Sequence, residues 1–266
     1  MISNQKVQLA IPEGRGVVAG TARKLLRWTG DLIVPPVCIA CRAALSEHHA
    51  LCAKCWRDVA FIRAPLCERM GIPLPFDTGG PSVSAAALAD PPDYDRARAA
   101  AHFAGTARQL VHGFKYADRQ EMRVLLGAWL QAAGQDLLDD AHLILPVPMS
   151  RRRLFWRTFN QAAILAHEIG RRSGLPVSTA VLRRRRATRP QVGLTRAQRR
   201  DNMEGAFAIE KRRRGLVAGH NILLIDDVIT TGATVNACAR ALKRAGAARV
   251  DVLAVAMVAG DVPLTP

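Results

Sequence analysis

The chain has 266 residues, 49% of them hydrophobic and 5% aromatic, with 38 Lys+Arg against 22 Asp+Glu. That length and apolar content allow a buried core and suit a main domain of about 100–200 residues beside a smaller module, which excludes global disorder. No run reaches the roughly 18–20 uncharged apolar residues of a membrane-spanning helix, and Met1 to Gly20 is broken by Lys6, Glu13 and Arg15, unlike a secretory signal, so the expectation is a cytoplasmic protein with no integral membrane segment.

In chain order, residues 1–33 read as an N-terminal segment with a short helix. Residues 34–70 form the first module, announced by Cys38-Ile39-Ala40-Cys41 and Cys52-Ala53-Lys54-Cys55. Each CxxC folds as a tight knuckle that presents two thiolates, and two knuckles complete the tetrahedral set that zinc takes at structural sites. Two disulfides are the alternative, disfavoured in a reducing compartment, and a redox dithiol would need a thioredoxin-like context that is absent. Cys38, Cys41, Cys52 and Cys55 are therefore the predicted metal ligands, closed to water and structural in role. Cys67 is followed at the same offset by Met70, a poor zinc ligand, and is not expected to ligate. Cys238 reads as a small buried hydrophobe in a helix.

Residues 71–93, with Pro73, Pro75, Pro81, Pro91 and Pro92, read as a linker holding a short strand at 82–88. Beyond it, over 94–260, strands near 97–103, 142–147, 177–182, 222–225 and 250–257 alternate with helices near 106–116, 119–133 and 235–245 and with one capped by Thr158 or Asn160 that carries Ala163, Ile164, Ala166, His167 and Ile169 at helical spacing. That alternation predicts an α/β fold with a mostly parallel open sheet covered on both faces. No repeat with a period of 20–50 residues stands out.

The net charge of +16 is uneven: 183–214 carries twelve basic against three acidic residues. This stretch is either a solvated Arg-rich face or a contact for a polyanion. Most informative is Ile222-Leu223-Leu224-Ile225-Asp226-Asp227-Val228-Ile229-Thr230-Thr231-Gly232-Ala233-Thr234. Four apolar residues without alternation predict a central strand, ending on two carboxylates at the edge where open α/β sheets place ligands. The small residues that follow open a helix whose free N–H groups and dipole favour a phosphate. Carboxylates that accept from vicinal hydroxyls, next to an anion cradle, suit a phosphorylated sugar; the plainer reading is a capped turn. No GxxxxGK Walker loop is present.

The strand, double acid and Thr-Thr-Gly-Ala-Thr loop resemble the phosphoribosyl-pyrophosphate (PRPP) signature of type I phosphoribosyltransferases. Together with the four-cysteine module, they resemble the ComF family, associated with DNA uptake in competent bacteria, and the similar GntX proteins. Further matching stretches are Phe114-Lys115-Tyr116, Leu145-Pro146-Val147-Pro148, Arg157-Thr158-Phe159-Asn160-Gln161-Ala162 and Gln191 through Asn202 to Ala206-Phe207. Met70 stands where many members have a further cysteine, and Thr158 where glycine is usual.

The resemblance implies a sheet of the type I phosphoribosyltransferase kind over 94–260, with Asp226 and Asp227 on the ribose hydroxyls. Val228, Ile229, Thr230, Thr231, Gly232, Ala233 and Thr234 would cradle the 5′-phosphate. Departure of pyrophosphate builds negative charge on the leaving group and cationic character on the sugar. Arg151, Arg152, Arg157 and Lys115 are candidates for the pyrophosphate side, with Asp226, Asp227 and Arg157 as the catalytic set. Arg151 to Arg153 also read as a solvated helix start. Mg²⁺ would accompany PRPP as a Lewis acid and template. The basic stretch stands where type I members carry a loop that closes over the reaction.

Two function classes follow. One is a phosphoribosyltransferase-like enzyme acting on PRPP or a related compound, with the acceptor unidentified. The other is a single-stranded DNA-binding accessory protein of uptake and recombination, meeting competence or recombination proteins and keeping the PRPP site as a sensor or relic. Only 13 aromatic residues argue against a base-stacking platform.

Overall fold

The computed structural model describes residues 35–77, 79–116, 121–149, 159–185 and 205–258. Among them, four parallel strands form the main sheet. The strands are β1 (Arg96–His102), β2 (Leu143–Pro146), β3 (Leu182–Arg184), β4 (Phe207–Ile209), β5 (Asn221–Ile229) and β6 (Arg249–Met257).

 The main sheet runs β1-β6-β5-β2, while β3 and β4 form a separate antiparallel pair. The helices are α1 (Ala53–Arg57), α2 (Ala85–Ala89), α3 (Gly105–Tyr116), α4 (Met122–Ala133), α5 (Gln135–Asp140), α6 (Gln161–Ser173) and α7 (Ala233–Arg244).

The fold is thus α/β, a mostly parallel sheet preceded by a four-cysteine module. Alternate residues of β5 explain the layering. Leu223 and Ile225 join Leu110, Phe114, Leu126, Leu130, Leu165 and Ile169 on the α3, α4 and α6 side. Ile222 and Leu224 join Val235, Cys238 and Leu242 of α7 on the other. A strand buried on both faces reads as a continuous apolar run, which is why β5 is visible in the sequence. Cys238 is fully buried in that second layer, as a small apolar side chain.

The four-cysteine module docks on the first layer. Asp58 Oδ2 accepts hydrogen bonds from both the backbone N–H and the hydroxyl of Thr106, each 2.8 Å, and so caps α3 from outside its own segment. Gly105 is required there: its φ is +45°, and a Cβ would fall 2.7 Å from Asp58 Oδ2. Residues 60–62 then run antiparallel along the outer edge of β1, with Ile62 N–H donating to Ala100 O and His102 N–H to Ala60 O.

Several elements differ from the sequence reading. The stretch 177–182 is not a strand; Val177 makes one parallel bridge to Ile144, and Pro176 supplies a carbonyl but has no N–H to extend the pairing. Pairing resumes only at β3. The strand expected at 82–88 is a single bridge at Ser82 followed by α2, because the Ser84 side chain accepts from Ala87 N–H and starts a helix. Residues 71–93, expected as a linker, therefore carry secondary structure. Helix α5 gave no signal of its own. The predicted N-terminal helix within 1–33 lies outside the described residues. No helix among the described residues is long and apolar enough to cross a membrane.

Candidate functional site

The first site is the cysteine cluster. The sulfurs of Cys38, Cys41, Cys52 and Cys55 all lie within 4.8 Å of one another, with Cys41 Sγ and Cys52 Sγ 3.6 Å apart. Cys52 N–H points at Cys38 Sγ from 3.3 Å. Burial opposes ionisation of Cys38, but backbone N–H groups of Cys41, Cys52 and Ala40 outweigh it and bring its thiol down to about 6. Burial and the neighbouring sulfurs push Cys55 up to about 12. Four such groups ionise together only around a cation, and an all-sulfur set within tetrahedral reach fits structural zinc.

The second site forms where two strands part. Pairing of β2 with β5 ends at Pro146 and Ile225, and the last bond on that side is Val147 N–H to Ile225 O, 2.9 Å. The sequence reading ended the strand at the acids. Instead β5 continues through them to Ile229, because β6 keeps pairing as far as Ile229 with Met257. Asp226 and Asp227 thus stand at the first positions where β5 has lost its β2 neighbour, beside the open crevice at the carboxyl end of the sheet.

The two acids differ in environment. Asp227 Oδ2 is 3.0 Å from Lys115 Nζ, which reaches over from the last turn of α3. Asp226 Oδ1 accepts from Asp227 N–H at 2.9 Å. Removal of its carboxyl from water raises the pKa of Asp226 well above the usual carboxylate range; the Asp227 charge adds to this, and Lys115 partly offsets it. A half-buried acid pair with one nearby cation is a donor set that fits a hard divalent ion or sugar hydroxyls.

The loop beyond leads into α7. Val228 and Ile229 are buried in opposite apolar layers, so only their backbone faces the crevice chemistry. Thr230 and Thr231 are exposed, whereas Gly232, Ala233 and Thr234 are half-buried. Gly232 takes φ +73° at the N-cap of α7, and no side chain caps that end. The first-turn N–H groups of Ala233 and Thr234 are therefore left to a ligand or water.

Two residues outside the predicted site set tie these parts together, and one of them, Asn160, is among the two helix-cap candidates read from the sequence. Asn160 caps α6 by accepting from Ala162 N–H and donates to Val147 O at 3.2 Å. Gln161 Nε2 donates to Lys115 O at 3.3 Å. The pair thereby joins the loop after β2, the end of α3 and the start of α6. Both lie in the quoted Arg157 to Ala162 stretch, which was the only signal for Gln161. Phe103 stacks with His112, centroids 5.9 Å apart, and Lys115 Nζ lies 6.0 Å from the Phe103 ring centre. Phe114 is a core residue. Arg151, Arg152, Arg157 and the segment 186–204 lie outside the described residues. At the described margins of the basic stretch, Arg183, Arg212 and Arg213 all pair with Glu210.

Comparison with known proteins bears on both sites. Residues 29–87 match the double zinc ribbon domain family, and residues 160–261 the phosphoribosyl transferase domain family. The DNA utilization protein YhgH of Salmonella typhi is 33% identical over 228 residues, covering 83% of this chain and 96% of that protein. The chain belongs to the ComF family. Competence protein F of Haemophilus influenzae is 28% identical over 221 residues, 81% of this chain and 94% of that protein. Competence protein ComFC of Bacillus subtilis is 34% identical over 142 residues, 53% of this chain and 55% of that one. Among solved structures, glutamine phosphoribosylpyrophosphate amidotransferase from B. subtilis overlaps with a TM-score of 0.34 at 20% identity, over 53% of this chain and 30% of its own.

Proposed function

We propose that this ComF-family protein binds PRPP or a related phosphoribosyl compound together with Mg²⁺ in the crevice beside Asp226. The carrying observation is that two adjacent carboxylates stand where β2 and β5 part, with an uncapped helix N-terminus a few residues further along the chain. Asp226 and Asp227 accept from the ribose hydroxyls. The N–H groups of Gly232, Ala233 and Thr234, with the Thr230, Thr231 and Thr234 hydroxyls, hold the 5′-phosphate.

Asp226 and Asp227 are also the residues placed to hold Mg²⁺, which supplies Lewis acidity toward the phosphate oxygens. Lys115 neutralises Asp227 before ligand arrives and is a cation for the pyrophosphate afterwards. Arg151, Arg152 and Arg157 are assigned the same leaving-group side. Positive charge waiting there stabilises departing pyrophosphate, while the acids face the cationic sugar. The acceptor is unassigned. The relatives' names suggest that this chemistry serves DNA utilization or competence.

Calorimetric titration of PRPP with Mg²⁺ into the wild type and Asp226→Asn/Asp227→Asn tests the reading, run beside single-stranded DNA at low and moderate salt. Binding of PRPP that disappears in the double variant supports it. Failure of PRPP to bind, alongside DNA binding that weakens steeply with salt, replaces it with a nucleic-acid scaffold.

A further inference from the structure

A double zinc ribbon implies two metal sites, yet only Cys38, Cys41, Cys52 and Cys55 form a candidate cluster among the described residues. The backbone nevertheless repeats. No repeat stood out in the sequence, but Pro36-Val37-Cys38-Ile39-Ala40-Cys41 and Pro65-Leu66-Cys67-Glu68-Arg69-Met70 take the same path. Cys38 N–H donates to Ala43 O at 2.7 Å, and Cys67 N–H to Ile72 O at 2.8 Å. Arg42 N–H donates to Cys38 O, and Gly71 N–H to Cys67 O, both 2.8 Å. Arg42 and Gly71 carry the same left-handed turn, φ +68° and +66°.

The second knuckles correspond as well. Ile39 N–H donates to Ala50 O as Glu68 N–H does to Ser82 O. Cys52 N–H lies 3.3 Å from Cys38 Sγ, and Ser84 N–H 3.2 Å from Cys67 Sγ. Cys52 caps α1 through Cys55 N–H, and Ser84 caps α2 through Ala87 N–H. Residues 65–90 are therefore superposed in hydrogen-bond pattern on 36–58, and the four ligand positions of the second unit are Cys67, Met70, Ser84 and Ala87.

That donor set does not fit zinc. It offers one thiol, one thioether, a hydroxyl already engaged in capping, and a methyl group. We infer that residues 65–90 are a second ribbon that folds without metal, its frame held by the Cys67 sulfur and by the edge of β1. Cys67 is fully buried and accepts from Met70 N–H as well as Ser84 N–H. The sheet does the rest. Ala97 N–H donates to Arg69 O at 2.8 Å, and the Arg98 guanidinium donates to Glu68 O at 2.9 Å and pairs with Glu68 Oε2 and Asp136 Oδ2. Gly71 lies so close to β1 that a Cβ would fall 2.2 Å from Ala97 O. Backbone groups anchored on a sheet edge need no ion to fix the loop, whereas the hydrogen bonds of the first ribbon to α3 among the described residues each involve a side chain, Gln109 Nε2 to Ala40 O and the two from Thr106 to Asp58 Oδ2.

Metal analysis of the full chain is expected to give one zinc, unchanged in Cys67→Ser. The triple variant Met70→Cys/Ser84→Cys/Ala87→Cys is expected to take up a second, seen also as a doubled thiolate-to-metal absorption with cobalt. Hydrogen exchange after chelation of the wild type should free the amides of Cys38, Arg42 and Cys52 while those of Cys67, Gly71 and Ser84 stay protected. Two zinc ions in the wild type, or equal loss of protection in both units, would overturn the inference. A folded triple variant that stays at one metal would overturn the shared frame.

Discussion

Lys115 and Asp227 are 112 positions apart in the chain, and their charged ends meet at 3.0 Å across the mouth of the crevice. Lys115 also lowers the proton affinity of Asp226, which burial and the Asp227 charge have raised. Lys115→Met should therefore move the Asp226 pKa further up. Titration of PRPP with Mg²⁺ over a series of pH values should show binding that strengthens as pH rises through the Asp226 pKa, with the midpoint displaced to higher pH in the variant. An unmoved midpoint would separate Lys115 from the acid pair.

The same raised pKa has a consequence for stability. A carboxyl whose folded pKa lies above its unfolded value contributes stability at low pH and loses it as pH rises through the folded pKa. Once pH exceeds the ordinary carboxylate range, the half-buried Asp226 is thus a cost. Asp226→Asn is expected to raise the melting temperature by on the order of a few degrees near neutral pH while it weakens PRPP binding. The gain should shrink as pH falls. A lower melting temperature would refute the sign.

Gly232 takes φ +73°, and a Cβ there would meet only Asn236 Nδ2, at 3.4 Å. Space is adequate, so the strain in Gly232→Ala comes from the backbone and should cost about 1 kcal/mol in chemical denaturation. If the first-turn amides hold phosphate, PRPP affinity should fall about tenfold or more, a larger effect than the stability loss. Retained affinity would place the phosphate elsewhere.

Asp58 joins the zinc module to α3 through two hydrogen bonds to Thr106. Asp58→Ala should destabilise the protein by about 1–2 kcal/mol, the upper range for a lost helix cap. Since α3 carries Lys115 at its far end, the variant should also weaken PRPP binding. Asp58→Asn, which keeps an acceptor oxygen, should restore most of both.

What the sequence determined by itself was whatever lies close along the chain. The two CxxC pairs, the apolar run of β5, the double acid and the Thr-Thr-Gly-Ala-Thr turn each carry their chemistry within a few residues, so spacing alone exposes it. Asn160 was legible as a helix cap, but its bond to Val147 and that of Gln161 to Lys115 were not, because those partners are brought to them only by packing of α6 against the sheet. The extension of β5 past Ile225 was likewise decided by β6, which supplies partners that β2 does not. The second ribbon was hidden for a further reason. Its frame is written in backbone hydrogen bonds and in contact with β1, and a side-chain pattern stripped of three cysteines no longer announces it.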